Sequence, residues 1–131
     1  ISDEDGGKLK RHKSHQSGRD ADIGYFARDN RALRYFEKMS EQTLDAEKTW
    51  ALLEAFIMTG YTQYIFMSYK IQEPLYHEAL EVGWTKEALA PIFQYPRGPS
   101  VRRGLIRHAS GHQDHFHIRF KCPPLDHQCI P

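Results

Sequence analysis

The sequence predicts an α+β fold, a small antiparallel β-sheet flanked by a few helices, from three observations. Residues 20–23 and 115–120 alternate polar with apolar side chains, which is the period of a half-buried strand. Residues 61–68 are rich in aromatic and branched side chains and are typical of a buried strand. Residues 45–59 carry apolar side chains at helical spacing. The 131 residues suit a single domain spanning residues 1–131.

Three helices are expected between the strands. The first covers residues 45–59, because Asp45 can accept hydrogen bonds from the free N–H groups of the first turn. The second covers residues 75–82, with Pro74 at the first helical position. The third begins after Thr85 and is limited or kinked by a proline six residues later.

Composition excludes some classes of function. Lys+Arg 18 against Asp+Glu 17 gives a net charge of +1, so bulk charge predicts no nucleic-acid partner. The longest apolar run, residues 50–58, is broken by Glu54 and is too short for a membrane span, so no transmembrane segment is expected. Residues 1–5 are acidic and unlike a signal peptide, which leads us to expect a mature or trimmed product. The sequence does not fix the oligomeric state.

Five of the eight histidines fall in two short clusters near opposite ends of the chain, residues 12–22 and 111–117. Zinc accepts imidazole nitrogen and carboxylate oxygen at about 2 Å, and a catalytic site leaves one position for water. His15 and Asp22 can converge from a loop and the strand that follows it, and His117 comes from a second strand. The two clusters together predict one zinc site.

His115 and His117 share one face of their predicted strand, with backbones about 6.6 to 7 Å apart. One of them can therefore bind the metal while the other reaches a bound water. A single histidine on a strand is more often a surface or core residue, and a histidine-rich tract can scavenge copper or nickel. Apolar residues on the opposite face of both segments favour a folded site over a scavenging tract.

The motif His15-x6-Asp22 with a distant His115-x-His117 resembles the zinc peptidases of the lysostaphin, D-Ala-D-Ala metallopeptidase and Hedgehog superfamily. Within that superfamily the closest resemblance is to the penicillin-insensitive murein endopeptidase family. Residues 14–22 carry one half of the family motif, and residues 112–123, from His112-x-x-His115 to Cys122-Pro123, carry the other. These matches cover about a fifth of the chain.

This resemblance implies six site residues, three that bind Zn²⁺ and three that act in catalysis. The metal ligands are His15, Asp22 and His117, and the catalytic residues are the general base His115 with His112 and His12, which stabilise the oxyanion or orient the substrate. Asp20 and Asp114 can hold a histidine ring in the required tautomer. A solvated strand residue is an equal alternative for Asp20.

Cys122 and Cys129 are the only cysteines, and from the residues alone they can be two buried thiols. The murein endopeptidase family has a disulfide with this spacing after its His-x-His strand, so the resemblance implies a Cys122–Cys129 bond and an oxidising compartment. We therefore expect a periplasmic or secreted protein. The family has a longer chain and further cysteines that this sequence lacks.

Four arginines precede the second cluster: Arg97, Arg102, Arg103 and Arg107. A solvated basic face is the favoured interpretation, whereas the alternative is that one of them, or Arg19, binds a carboxylate of a peptide stem. The aromatic residues of 61–69 are expected in the core, and Tyr25 and Tyr95 are candidates for the cleft.

The function that these expectations favour is a zinc-dependent peptidoglycan endopeptidase acting on peptide stems. It would hydrolyse D-amino-acid crosslinks such as the D-alanyl–diaminopimelate bond. One alternative is a D-alanyl-D-alanine dipeptidase or carboxypeptidase. Another is a zinc-bearing binding module without catalysis, as in Hedgehog signalling domains.

Overall fold

The computed structural model of the chain describes residues 19–28, 38–40 and 42–122. This part of the chain contains seven elements. They are β1 (Asp20–Gly24), α1 (Ala46–Met58), β2 (Thr62–Met67), α2 (Tyr69–Glu81), α3 (Lys86–Leu89), β3 (Ile106–His108) and β4 (His115–Phe120). The predicted α+β class is confirmed.

The strands form one sheet in the order β1-β4-β2-β3. β4 pairs antiparallel with both β1 and β2, in agreement with the expected antiparallel sheet. The sheet as a whole is mixed, because β3 pairs parallel with β2. Two strands that carry predicted site residues, β1 and β4, are therefore direct neighbours.

The first helix agrees closely with its prediction. Asp45 is the N-cap of α1, and its Oδ1 accepts a hydrogen bond from the Lys48 backbone N–H at 2.9 Å. Gly60, with a φ of +79°, follows the Thr59 C-cap. The apolar side of α1 buries Trp50, Leu53 and Phe56 in the core.

The predicted start of α2 is wrong, since the helix begins at Tyr69, six residues before the expected position. Its start depends on a long-range contact, because the Tyr69 N–H donates to Nδ1 of His108 at 3.0 Å. Pro74 therefore lies inside the helix. A proline there removes the hydrogen bond to the carbonyl four residues earlier. That carbonyl belongs to the exposed residue Lys70, where water can replace the lost donor.

The third helix is short. The Thr85 hydroxyl caps α3 by accepting from the Ala88 N–H at 3.1 Å, and the chain leaves the helix before Pro91, as predicted. None of the helices among the described residues is long and apolar enough to cross a membrane.

The sheet has one buried face and one open face. On β4, Phe116 and Ile118 are fully buried, and the ring of Phe120 packs at 5.6 Å from Phe56 of α1. The intervening residues, His115 and His117, are only partly buried. Because alternate residues of a strand point to opposite faces, the two histidines occupy the open face.

Gly104 lies where the chain returns to the sheet, and replacing it with alanine should destabilise the fold. Its φ is +99°, and a Cβ would lie 2.6 Å from the Phe93 carbonyl carbon and 2.7 Å from the Gln94 nitrogen. Backbone strain and overpacking together should cost about 3 kcal/mol, which urea unfolding would measure. Gly98→Ala is the matched control, since its φ is +119° but its Cβ would meet no atom within 4 Å. Equal losses for both variants would contradict the steric argument.

Candidate metal centre

The pairing of β1 with β4 brings together chemically active residues that are far apart in sequence. Asp22 is directly opposite His117, and Asp20 is opposite Arg119. Opposed residues of an antiparallel pair share a face, so both carboxylates lie on the open face with the histidines of β4. This placement confirms the predicted common orientation of Asp20 and Asp22.

A short contact joins two of the predicted metal ligands. Nδ1 of His117 lies 2.7 Å from Oδ1 of Asp22. Nε2 of His115 lies 3.8 Å from the same carboxylate oxygen. The Asp22 side chain is 6% exposed, so this oxygen is largely shielded from water. An imidazole nitrogen and a carboxylate oxygen in contact at a partly buried site are donors of the kind that zinc prefers.

Each of the two histidines is held by a second carboxylate at its other nitrogen. Oδ1 of Asp20 lies 3.0 Å from Nε2 of His117, and Oδ1 of Asp114 lies 2.6 Å from Nδ1 of His115. A carboxylate only accepts, so the proton of a neutral His115 ring is placed on Nδ1, which faces Asp114. His117 faces carboxylates at both nitrogens and donates to both when its ring is protonated. Asp20 is therefore an internal partner of His117, and its alternative interpretation as a solvated residue is wrong.

The two aspartates change the acid–base behaviour of His117. Burial lowers the pKa of His117, but hydrogen bonds to Asp22 and Asp20 raise it by more, and the net pKa is raised. Without metal, the folded chain therefore holds this proton more tightly than the unfolded chain. The resulting stability is fully present below the unfolded pKa of about 6.5 and is lost as pH rises through the higher folded value.

His112 adjoins the pair through its ring and through its backbone. Its ring centroid is 4.7 Å from that of His115. The hydroxyl of Tyr25 donates to the His112 carbonyl at 2.8 Å, and the Ser68 N–H donates to it at 3.2 Å. Tyr25, a candidate for the cleft, is 1% exposed and is therefore a core residue. Its hydroxyl supports the backbone of His112.

The protonation of His112 is also set by its surroundings. Burial lowers the pKa of His112; the hydrogen bond to the Ser110 carbonyl raises it in part, and the neighbouring His115 lowers it further. Nδ1 lies 2.8 Å from that carbonyl and must carry the proton, because a carbonyl only accepts. In the neutral form, Nε2 is then a hydrogen-bond acceptor.

Aromatic rings form the next row of the open face. The rings of Tyr64 and Phe66 on β2 each lie 6.4 Å from the ring of His117 and are nearly parallel to it. Both are partly buried, and Tyr61 is 48% exposed. The expectation that the aromatic residues of this segment belong to the core is therefore wrong for these three. Tyr64 and Phe66 line the site because β2 alternates its side chains between the two faces, whereas Tyr61 precedes β2.

Three of the five candidate arginines donate to backbone carbonyls. The guanidinium of Arg97 donates to the Phe93 and Ala90 carbonyls at 2.9 and 2.7 Å. Nε of Arg107 donates to the Gly104 carbonyl at 2.7 Å. Arg102 and Arg103 are exposed, and Arg19 is buried, with a nitrogen 3.4 Å from the Phe120 carbonyl. These contacts connect Arg97 and Arg107 to the chain that leads into β3.

Three predicted residues lie outside the described part of the chain: His12, His15 and Cys129. The third zinc ligand and the Cys122–Cys129 bond therefore stay predictions. Within residues 19–28, 38–40 and 42–122, no group of three or more His, Cys, Asp or Glu side chains forms a metal site. The described residues supply two of the three predicted ligands.

Comparisons with protein-family models and with curated protein sequences find no match to this chain. The interpretation of the site therefore depends on its own residues. Two predicted ligands, the predicted base and two orienting carboxylates meet on one sheet face, which is the arrangement of a candidate metal centre.

Proposed function

We propose that the chain is a zinc-dependent peptidoglycan endopeptidase that hydrolyses D-amino-acid peptide crosslinks of murein, such as the D-alanyl–diaminopimelate bond. One observation carries this proposal. Nδ1 of His117 contacts Oδ1 of Asp22 at 2.7 Å, with Nε2 of His115 3.8 Å from the same oxygen. These are the residues that the murein endopeptidase motif assigns to the metal and to the base.

Zinc would be held by Asp22 and His117, with His15 as the third ligand. The described donors fit this ion, since Asp20 occupies Nε2 of His117 and leaves Nδ1 with Asp22. Zinc lowers the pKa of its water and polarises the scissile carbonyl when it is bound.

His115 would act as the general base. Asp114 accepts the Nδ1 proton, so the lone pair of the neutral ring is on Nε2, the nitrogen nearest Asp22. The ring would take a proton from the attacking water at Nε2 and later give it to the leaving amine nitrogen. Because Asp114 holds the ring at 2.6 Å, little reorientation is needed between the two steps.

His112 would orient the substrate. Its neutral ring has only an acceptor at Nε2, which suits a substrate N–H group and does not suit an oxyanion. The geometry therefore favours substrate orientation over oxyanion stabilisation as the role of His112. His12 would line the same site by resemblance to the family motif.

Peptide stems of peptidoglycan would be the partner, in the periplasm or outside the cell. A bond between Cys122 and Cys129 suits such a compartment, because disulfides persist where the environment is oxidising. Cys122 lies two residues after the end of β4, so a bond at this position would secure the chain after the His-x-His strand.

Purified crosslinked muropeptide dimers test the proposal. Zinc-loaded protein should convert dimers to monomers, a chelator should abolish the reaction, and added zinc should restore it, as followed by chromatography and mass spectrometry. Loss of a terminal D-alanine without separation of the dimer would support the carboxypeptidase instead. Zinc binding with no product would support the binding module. Dimer cleavage that resists the chelator would contradict the metal-dependent reaction.

A further inference from the structure

A cavity of about 420 Å³ adjoins the candidate metal centre. His112 and Asp114 line it, and both contact the ring of His115, so the cavity begins where the proposed chemistry takes place. Ser68 and His108 also line it, at the N-terminus of α2 and the end of β3. The catalytic roles proposed above leave this cavity without a function.

Ser68 lines this cavity, and its hydroxyl forms no hydrogen bond with the described residues. It is the N-cap of the 13-residue helix α2 and is 4% exposed, yet its side chain makes no capping hydrogen bond. Among the described residues, no hydrogen bond to its hydroxyl is present. The hydroxyl is not one of the fully buried polar atoms that lack a partner among the described residues, so it is accessible from the cavity and can form a hydrogen bond with a ligand there. The start of α2 adds a partial positive charge at the same point.

Two further donors belong to the same cavity. Nδ1 of His108 accepts from the Tyr69 N–H, so the neutral ring carries its proton on Nε2 and can donate there. Lys38 adds a full positive charge to the described lining of the cavity. The lining carboxylate, Asp114, is engaged with His115 at 2.6 Å. Hydroxyl, imidazole N–H and ammonium are together the donors that a carboxylate accepts from.

We infer that this cavity binds the free carboxylate of the amino acid that supplies the scissile nitrogen. The inference rests on the proposed function. In an amide bond formed on the amino group of an α-carbon, the carboxylate of that carbon is only two bonds from the scissile nitrogen. A ligand aligned at His115 would therefore carry this anion into the adjoining cavity. Arg97 and Arg107 are less suited to the role, because both donate to backbone carbonyls.

Ligand binding to the full-length, zinc-loaded chain tests this subsite. N-acetyl-D-alanine presents the carboxylate, and N-acetyl-D-alaninamide replaces it with a neutral amide. Ser68→Ala should weaken the carboxylate ligand about tenfold in calorimetry and leave the amide ligand unchanged. Lys38→Gln should have an effect in the same direction. Ser100→Ala, at an exposed position outside the cavity lining, should bind both ligands as the parent chain does.

The outcomes separate this inference from the endopeptidase proposal. Any direct contact of the carboxylate with zinc is present in both the parent and Ser68→Ala, so a difference between them reports on the cavity. If Ser68→Ala weakens both ligands equally or neither, or if the parent binds neither, the subsite is wrong. If the selective loss is found but crosslinked dimers are not cleaved, the subsite stands and the endopeptidase assignment is wrong.

Discussion

Replacing His115 with alanine should leave zinc bound and lower kcat for crosslinked dimers about 1,000-fold. The reason is the division of roles on β4. His117 contacts the proposed ligand Asp22 at 2.7 Å, whereas His115 is 3.8 Å from it and is held by Asp114. Removing the base removes proton transfer without removing a ligand. Zinc content by mass spectrometry and steady-state kinetics on the same preparation measure both quantities.

His77→Ala is the matched control for this substitution. His77 is an exposed histidine on α2, so the change removes the same side chain away from the sheet face. It should preserve both zinc content and kcat. Asp114→Asn should lower kcat by a smaller factor, because the ring stays present but loses its strongest partner. A His115→Ala protein without zinc would show that His115 is a ligand and that the assignment of roles is wrong.

Local patterns predicted the elements that are long and regular. The helical spacing of residues 45–59, with Asp45 before it, agrees with α1 to within a residue at each end. The alternation of residues 115–120 agrees with β4. In both, each residue type suits its own position, so short-range information is sufficient.

The elements that were missed or misplaced depend on distant contacts. β3 has three residues with one fully buried side chain, Ile106, and so shows no period. It forms because the Ile106 N–H donates to the Ile92 carbonyl at 2.7 Å while β2 pairs along its other side. The early start of α2 similarly uses the side chain of His108, which is 39 residues away in sequence. Neither partner can be identified from the segment itself.

The candidate site divides in the same way. Residue types and spacing predict that Asp22, His115 and His117 belong to a metal site, because zinc accepts only a few kinds of side chain as ligands. The choice for Asp20 between an internal partner and a solvated residue depended on where the ring of His117 points, which is a property of the β1–β4 register. Tyr25 was expected at the cleft and not as a buried support of the site. Its support of His112 is visible only once residues 87 apart in sequence are brought to 2.8 Å.

The second large effect should be on zinc affinity. His117→Ala should weaken zinc binding by more than about 100-fold, since changing only the partner of a metal-binding histidine costs 10- to 100-fold. The physical cause is that His117 supplies Nδ1, the nitrogen in contact with Asp22. The zinc affinity of Asp20→Asn should lie between those of His117→Ala and the parent chain, because this change removes the charge that fixes the ring of His117. Competition with a fluorescent chelator ranks the two variants against His77→Ala, which should bind as the parent does.

The raised pKa of His117 adds a pH dependence to this series. In the metal-free chain a proton occupies the contact between Nδ1 of His117 and Asp22 at low pH, and a cation must displace it. Apparent zinc affinity should therefore be independent of this group above the raised pKa and fall about tenfold per pH unit below it. Asp20→Asn removes one of the hydrogen bonds that raise the pKa of His117. The zinc affinity of this variant should therefore begin to fall at a lower pH than that of the parent chain. A fall that begins at the same pH in both chains would show that Asp20 does not control the protonation of the ligand.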